Sequence, residues 1–187
     1  MIKLSKRLEA IASFVYGPKV LDLGCDHAYL AIYLKQKGFK VSASDIKENI
    51  CEVARSNINK YHLDIPVFRS DGLKDLKEEF DTIIISGMGG YLIKEILDKP
   101  VSSQYVLSPH KNPEVVRKHM IEHGYIIDKE EAIFDKKWYV IMSFVKGTKK
   151  YTEEEILYGP YAKNNKEYLK YLQRNTQFDI NWVFYFV

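Results

Sequence analysis

Apolar and polar positions along the chain fall into a repeating series of short strands and amphipathic helices. Leu4, Leu8, Ile11, Ala12 and Val15 recur at helical spacing while Ser5, Lys6, Arg7 and Glu9 fall elsewhere, so residues 4–16 predict an entry helix that Gly17-Pro18 stops. Residues 19–23 read as a strand and residues 28–37 as a helix closed by Gly38. Residues 39–45 give a second strand, and residues 46–62 a long helix with Ile50, Val53, Ala54 and Ile58 turned inward. A short third strand occupies residues 66–69. Residues 80–86 are β-branched and nearly uninterrupted, the pattern of a central parallel strand covered on both faces. A helix over 91–97, a strand over 105–108 and a helix over 113–123, stopped by Gly124, continue the rhythm.

After Gly124 the rhythm changes. Residues 125–134 and 138–145 are strand-like runs joined by Asp135-Lys-Lys137 with no helix between them, so an antiparallel hairpin finishes a sheet built from βα units. Residues 152–175 are polar and helical, broken at Gly159-Pro160, and need not belong to the sheet. Five βα units followed by a hairpin is the order of class I methyltransferases, which use S-adenosylmethionine; a dinucleotide dehydrogenase more commonly keeps alternating. The expected fold is therefore α/β, Rossmann-like: a mostly parallel seven-stranded sheet with a terminal antiparallel hairpin. Residues 1–150 are expected to form the methyltransferase domain and 151–187 a short C-terminal helical extension.

Composition narrows this little. With 187 residues, 46% hydrophobic, the chain can bury one core, and a net charge of +3 permits a polyanionic partner without requiring one. Cys25 and Cys51 follow no secretory leader and read as reduced thiols, position 2 is Ile rather than the glycine of a myristoylation signal, and no apolar run reaches the roughly 18 residues of a membrane span. A cytoplasmic protein, with no membrane and no metal and as a monomer, is the expectation.

The chemistry collects at strand ends. Asp22-Leu-Gly24-Cys-Asp26-His-Ala-Tyr29 is a poor G-x-G-x-x-G: only Gly24 is present, and Asp26 would oppose a pyrophosphate at a helix N-terminus. The same acid suits a sulfonium and an ammonium group, although Asp26 could also be a helix N-cap. Asp22, an acid inside an apolar strand, needs a partner that a cationic ligand would supply. Asp45, followed by Ile46, comes about 20 residues after Gly24, where a carboxylate can accept both ribose hydroxyls, or else caps the next helix. Asp71-Gly72 could hold an adenine edge or be an ordinary turn. Ser86-Gly-Met-Gly-Gly90 stands where amino-methylating enzymes of this fold often carry Asn or Asp, two prolines and an aromatic residue; here Gly87 and Met88 leave room for a flat base, unless the glycines serve only a tight turn. His119-Met-Ile-Glu-His123 matches a zinc-peptidase pattern, but it occupies the last turn before Gly124, where histidines complement the helix dipole, and a third ligand is lacking. Trp138 and Tyr139 are expected as core or hairpin-face aromatics rather than a stacking platform.

Taken together, Asp22-Leu-Gly-Cys-Asp-His-Ala-Tyr-Leu30, Ser70-Asp-Gly-Leu73, Ile85-Ser-Gly-Met-Gly-Gly90 and Leu107-Ser-Pro-His-Lys-Asn112 resemble the bacterial TrmK family, tRNA adenine N1-methyltransferases acting on the adenine at tRNA position 22. The resemblance covers roughly residues 1–165 and implies S-adenosyl-L-methionine as methyl donor, tRNA as partner, and a helical C-terminal domain that helps hold it. Only one helix fits after Tyr161, and residues 181–187 are an apolar tail, a departure from that pattern; Ser108-Pro109-His110 departs from a Gln-Pro-Asn segment. Asp26, His27, Tyr29, Met88 and His110 are the expected catalytic residues: Asp26 or a carbonyl near Gly87 accepting from the exocyclic amine, Tyr29 stacking on the base, His27 orienting Asp26. Asp22, Gly24, Asp45, Ile46, Asp71, Gly72 and Gly87 are expected to bind the methyl donor. Lys3, Lys6, Arg7, Lys111, Arg117 and Lys118 are expected to form a basic RNA-facing surface. The alternatives are a methyltransferase for another RNA, a protein or a small molecule, and a non-catalytic RNA-binding protein of the same fold.

Overall fold

A computed structural model describes residues 1–76, 78–161 and 164–175. Helix α1 (Lys6–Ser13) starts where the Ser5 hydroxyl accepts the Leu8 N–H, and it buries Ile11 and Ala12. Phe14, outside the predicted apolar face, is buried too, and its carbonyl accepts a hydrogen bond from Gln104 Nε2 that ties the helix end to the sheet. There follow β1 (Lys19–Leu23), α2 (Tyr29–Gln36), β2 (Lys40–Asp45), α3 (Glu48–Lys60), β3 (Val67–Arg69), β4 (Thr82–Ser86), α4 (Gly90–Ile96), β5 (Gln104–Ser108) and α5 (Pro113–Glu122). The hairpin is β6 (Tyr125–Asp135) and β7 (Lys137–Lys146), turning through Lys136 at φ 64°.

The seven strands lie in the order β3-β2-β1-β4-β5-β7-β6. The first five are parallel, and β7 runs antiparallel to both β5 and β6. Successive side chains feed two cores: Leu21, Leu23, Ile83, Ile85, Tyr105 and Leu107 face α4 and α5, while Val20, Ile84 and Val106 face α1, α2 and α3. Burial on both faces is why the centre of the sheet reads as an unbroken apolar run.

Two expectations change, and a third gains detail. In α3 the buried stripe is Cys51, Ala54, Asn57 and Ile58, one position round from the predicted face, and Val53 is 39% exposed. The C-terminal segment is helical, adds no strand, and packs on the sheet. It consists of α6 (Glu153–Tyr158), opened by a Thr152–Glu155 capping box, and α7 (Lys166–Asn175), whose Tyr168, Leu169 and Leu172 join the sheet's core, Tyr168 lying against Trp138. Arg117 is not on a basic surface: it is fully buried, its Nε 2.8 Å from Glu130 Oε2, and its Nη1 donates to the carbonyls of Ile156 and Leu157. A buried carboxylate and two helix-end carbonyls claim all of its polarity, which composition could not reveal. The expected apolar tail, residues 181–187, lies outside the described residues. Among the described residues no helix is long and apolar enough to cross a membrane.

Candidate active site

Strand order reverses between β1 and β4, so the loops that leave their carboxyl ends diverge to opposite faces and open a crevice. A cavity of about 330 Å³ lies there, lined by residues from α1, β1, β2 and the loops after β1, β4 and β5. A larger one, about 670 Å³, opens at the opposite ends of β4 and β5 around Asp81 and Ser102, away from these loops.

The loop after β1 is built around unusual backbone. Gly24, Asp26 and Ala28 all have positive φ, at 76°, 49° and 58°. The alternation throws the side chains of Asp26 and His27 outward and costs strain at Ala28, where a Cβ must be accommodated. The loop is held down from two sides: Gly24 and Cys25 N–H groups donate to Ser44 O on β2, and Asn57 Nδ2 of α3 donates to His27 O. Asp26 therefore does not cap α2. Ala28 occupies that position and makes no side-chain cap.

Asp22 takes part of the capping role instead. Its buried carboxylate accepts the Ala31 N–H in the first turn of α2. Burial pushes its pKa up to about 7, with Asp26 adding to the rise and the Ala31 hydrogen bond and the Arg7 charge opposing it. Burial also pushes the Cys25 thiol up, leaving it an inert wall of the same cavity.

Across the cavity, the loops after β4 and β5 are laced together. Gly87 N–H donates to Ser108 O, His110 N–H to Met88 O, and Gly90 N–H to Lys111 O. A Cβ on Gly90 would collide with the Asn112 carbonyl, so glycine is needed for this approach. A Cβ on Gly24 would meet Met88 Cε, which places Met88 across the β1 turn. His110 sits beside Gly87, and burial, followed by the Lys137 and Arg7 charges, holds its imidazole below the usual pKa, so it is neutral at pH 7.

Of the expected residues, Asp22, Gly24, Asp26, His27, Tyr29, Asp45, Gly87, Met88 and His110 line this one cavity. Tyr29 is 42% exposed and stacks on His27, ring centroids 5.6 Å apart and planes at 16°. His27 and Asp26 approach only to 3.8 Å, too long for a hydrogen bond. Asp45 Oδ1 accepts the Lys47 N–H in the turn before α3, but Asp45 does not cap that helix: Lys47 is its N-cap and no side chain caps it. Ile46 is 52% exposed and lies outside the lining, next to Asp45. Asp71 and Gly72 line a separate cavity with Leu73, Leu92 and Ile96, and Asp71 is ion-paired to Lys74 at 2.7 Å.

The matching family model, described as a methyltransferase domain, covers residues 4–142. A tRNA (adenine(22)-N(1))-methyltransferase of Bacillus subtilis (strain 168) is 31% identical over 194 residues, spanning 94% of this chain and 81% of that protein. The chain belongs to this family, the TrmK family. TrmK from M. capricolum, solved with the cofactor product S-adenosyl-homocysteine, superposes with a TM-score of 0.84 at 31% identity, covering 91% of this chain and 83% of that one. The B. subtilis TrmK crystal structure gives 0.85 at 27% identity, covering 93% and 83%.

The donor set of this TrmK cavity fits S-adenosylmethionine. Asp22 suits its ammonium charge, and Asp45 at the end of β2 suits ribose hydroxyls. Arg7 supplies the opposite charge: its Nη1 is buried without a hydrogen-bond partner among the described residues, and its guanidinium carbon lies 5.0 Å from the Tyr139 ring centroid. Arg7 was expected on an RNA-facing surface, and the structure puts it in the cavity lining; Tyr139 is on the hairpin as expected, with its ring 5.7 Å from that of His110, which lines the cavity. The only sequence signal for Arg7 was its position off the apolar face of the first helix. His119, in the zinc-like pattern, pairs its Nε2 with the Leu97 carbonyl at 2.8 Å, and His123 pairs its Nδ1 with the His119 carbonyl.

Proposed function

We propose that this chain transfers a methyl group from S-adenosylmethionine to N1 of the adenine at position 22 of a tRNA. The observation that carries the reading is a cavity that faces three carboxylates with a guanidinium whose Nη1 has no partner among the described residues, in a chain matched over 94% of its length to a relative named for that reaction. Bound there, the methyl donor supplies a carbon on positively charged sulfur, which an in-plane nitrogen lone pair can take while the carbon–sulfur bond breaks.

Adenine N1 has such a lone pair and no proton, so the chain needs no strong general base, and positioning supplies most of the catalysis. Arg7 Nη1 binds the carboxylate of the donor's amino-acid end, Asp22 its ammonium, and Asp45 its ribose. Asp26 accepts from the exocyclic amine of the target base, which orients N1 inward, and Tyr29 stacks on that base. The glycine at 87 and the flexible Met88 leave a slot for the ring. Neutral His110 offers a hydrogen-bonding nitrogen at the slot's far side without adding charge. Exposing a paired or stacked base costs about a few kcal/mol, which these contacts offset. Residues 1–150 constitute the methyl-transfer domain, and the helices beyond it form an extension anchored by Arg117.

The test is incorporation of labelled methyl into unmodified tRNA, compared with the same tRNA carrying guanine at position 22. Label in the first and none in the second is the expected result. Equal label in both would exclude this target, and none in either would exclude the activity.

A further inference from the structure

The rim of the cavity is divided by charge. Asp22, Asp26 and Asp45 stand on the β1 and β2 side. On the β5 and β7 side Arg7 and His110 line the cavity, Tyr139 lies just behind them with its ring centroid 5.7 Å from that of His110, and the Lys137 amine lies 5.1 Å from the Tyr139 ring centroid. Among the described residues neither the Arg7 guanidinium nor the Lys137 amine has a carboxylate within 4.0 Å. The acid at the hairpin tip faces the start of α1: Asp135 accepts the Arg7 N–H at 3.2 Å.

That engagement also fixes the tip in space. β7 pairs with β5 as far as Leu107 opposite Met142, so residues 137–139 project beyond the end of β5 over the loop that carries His110. A single-residue turn at Lys136 and the tie from Asp135 to α1 leave Lys137 exposed on a rigid support.

We propose that Lys137, carried on this tip beside Tyr139, binds the phosphodiester of the nucleotide whose base enters the cavity. It rests on the reading of the substrate as RNA. A phosphate is repelled from the acidic side of the rim and attracted to the basic side. The nucleotide is thereby oriented, its backbone at β7 and its base turned toward Asp26 and Gly87. The exposed ammonium is a point charge that any phosphate oxygen can accept, so the contact positions the strand and reads no sequence. Arg7, with its Nη1 buried at the inner end of the same wall, is left for the methyl donor.

The experiment compares methyl transfer to tRNA by wild type, Lys137→Gln, Lys137→Arg and Lys40→Gln over a range of salt, with donor affinity measured by calorimetry. Lys40 is exposed at the opposite end of the sheet and controls for net charge. Loss of one phosphate contact should lower the slope of log(kcat/KM) against log salt by about 1 for Lys137→Gln, a fourfold narrowing of its deficit between about 50 and about 200 mM. The deficit should lie in KM, donor affinity should be unchanged, and Lys137→Arg should restore the slope. A Lys137→Gln enzyme with the slope of wild type, or with the same change as Lys40→Gln, would overturn the assignment while the tRNA reading stands. Absence of transfer to tRNA by wild type would remove both.

Discussion

Asp22 joins the fold to the chemistry. Its pKa of about 7 stands well above the ordinary carboxylate value near 4, so folding takes up a proton in the window between them. The stability this group contributes is present in acid and is lost as pH rises through 7. A cationic ligand reverses the preference by favouring the ionised carboxylate. Donor binding at about pH 6.5 should therefore release up to one proton, and affinity should fall by up to about tenfold per pH unit below 7. Calorimetry in buffers of different ionisation enthalpy reads the proton directly, and Asp22→Asn should abolish the release. The strand acid was legible in the sequence because an apolar run tolerates few carboxylates. That it also serves the first turn of α2 was not, because the Ala31 amide is brought to it only by the left-handed backbone at Ala28. Arg7 was hidden for a similar reason: a helix-surface arginine looks solvated until the hairpin tip closes over it. Arg7→Met should weaken donor binding about tenfold to hundredfold, and weaken binding of a donor analogue lacking the carboxylate far less.

At the level of elements, the site is a product of two loops held in register. The Gly90 N–H reaches the Lys111 carbonyl at 2.9 Å, and no side chain fits between them. Gly90→Ala should push the loops after β4 and β5 apart, moving Met88 from His110, and lower turnover more than donor affinity; kcat set against a binding constant separates the two. Arg117 ties the C-terminal helices to α5 and β6 through Glu130 and the last carbonyls of α6. Arg117→Ala strands a buried carboxylate, so a loss of about 3–5 kcal/mol in chemical unfolding is expected, whereas a surface pair would cost under about 1. Element type and order were legible because each βα unit repeats one hydrophobic period. The packing of α7 was not, since its Tyr168, Leu169 and Leu172 sit in a segment dominated by charged and polar residues, and its partner Trp138 lies on the hairpin.

Across the whole molecule, the sheet order places the acids of β1 and β2 opposite the hairpin's cations, so the net charge of +3 says less than its division around one cavity. That division suits a reaction between a cationic donor and a polyanionic acceptor. Of the strand-end acids that the sequence singled out, Asp22, Asp26 and Asp45 meet at one cavity, but Asp71 and Gly72 fall in a neighbouring one because the loop after β3 turns toward α4. The central claim, that this cavity delivers a methyl group to adenine N1, is tested most directly by reacting unmodified tRNA with the protein and S-adenosylmethionine, digesting the product and mapping the modified nucleoside by mass spectrometry. The account predicts 1-methyladenosine at position 22 from the wild type, and from Asp26→Asn greatly reduced product at undiminished donor affinity. Methylation of another atom or position, or an Asp26→Asn enzyme that matches wild type in turnover, would contradict it.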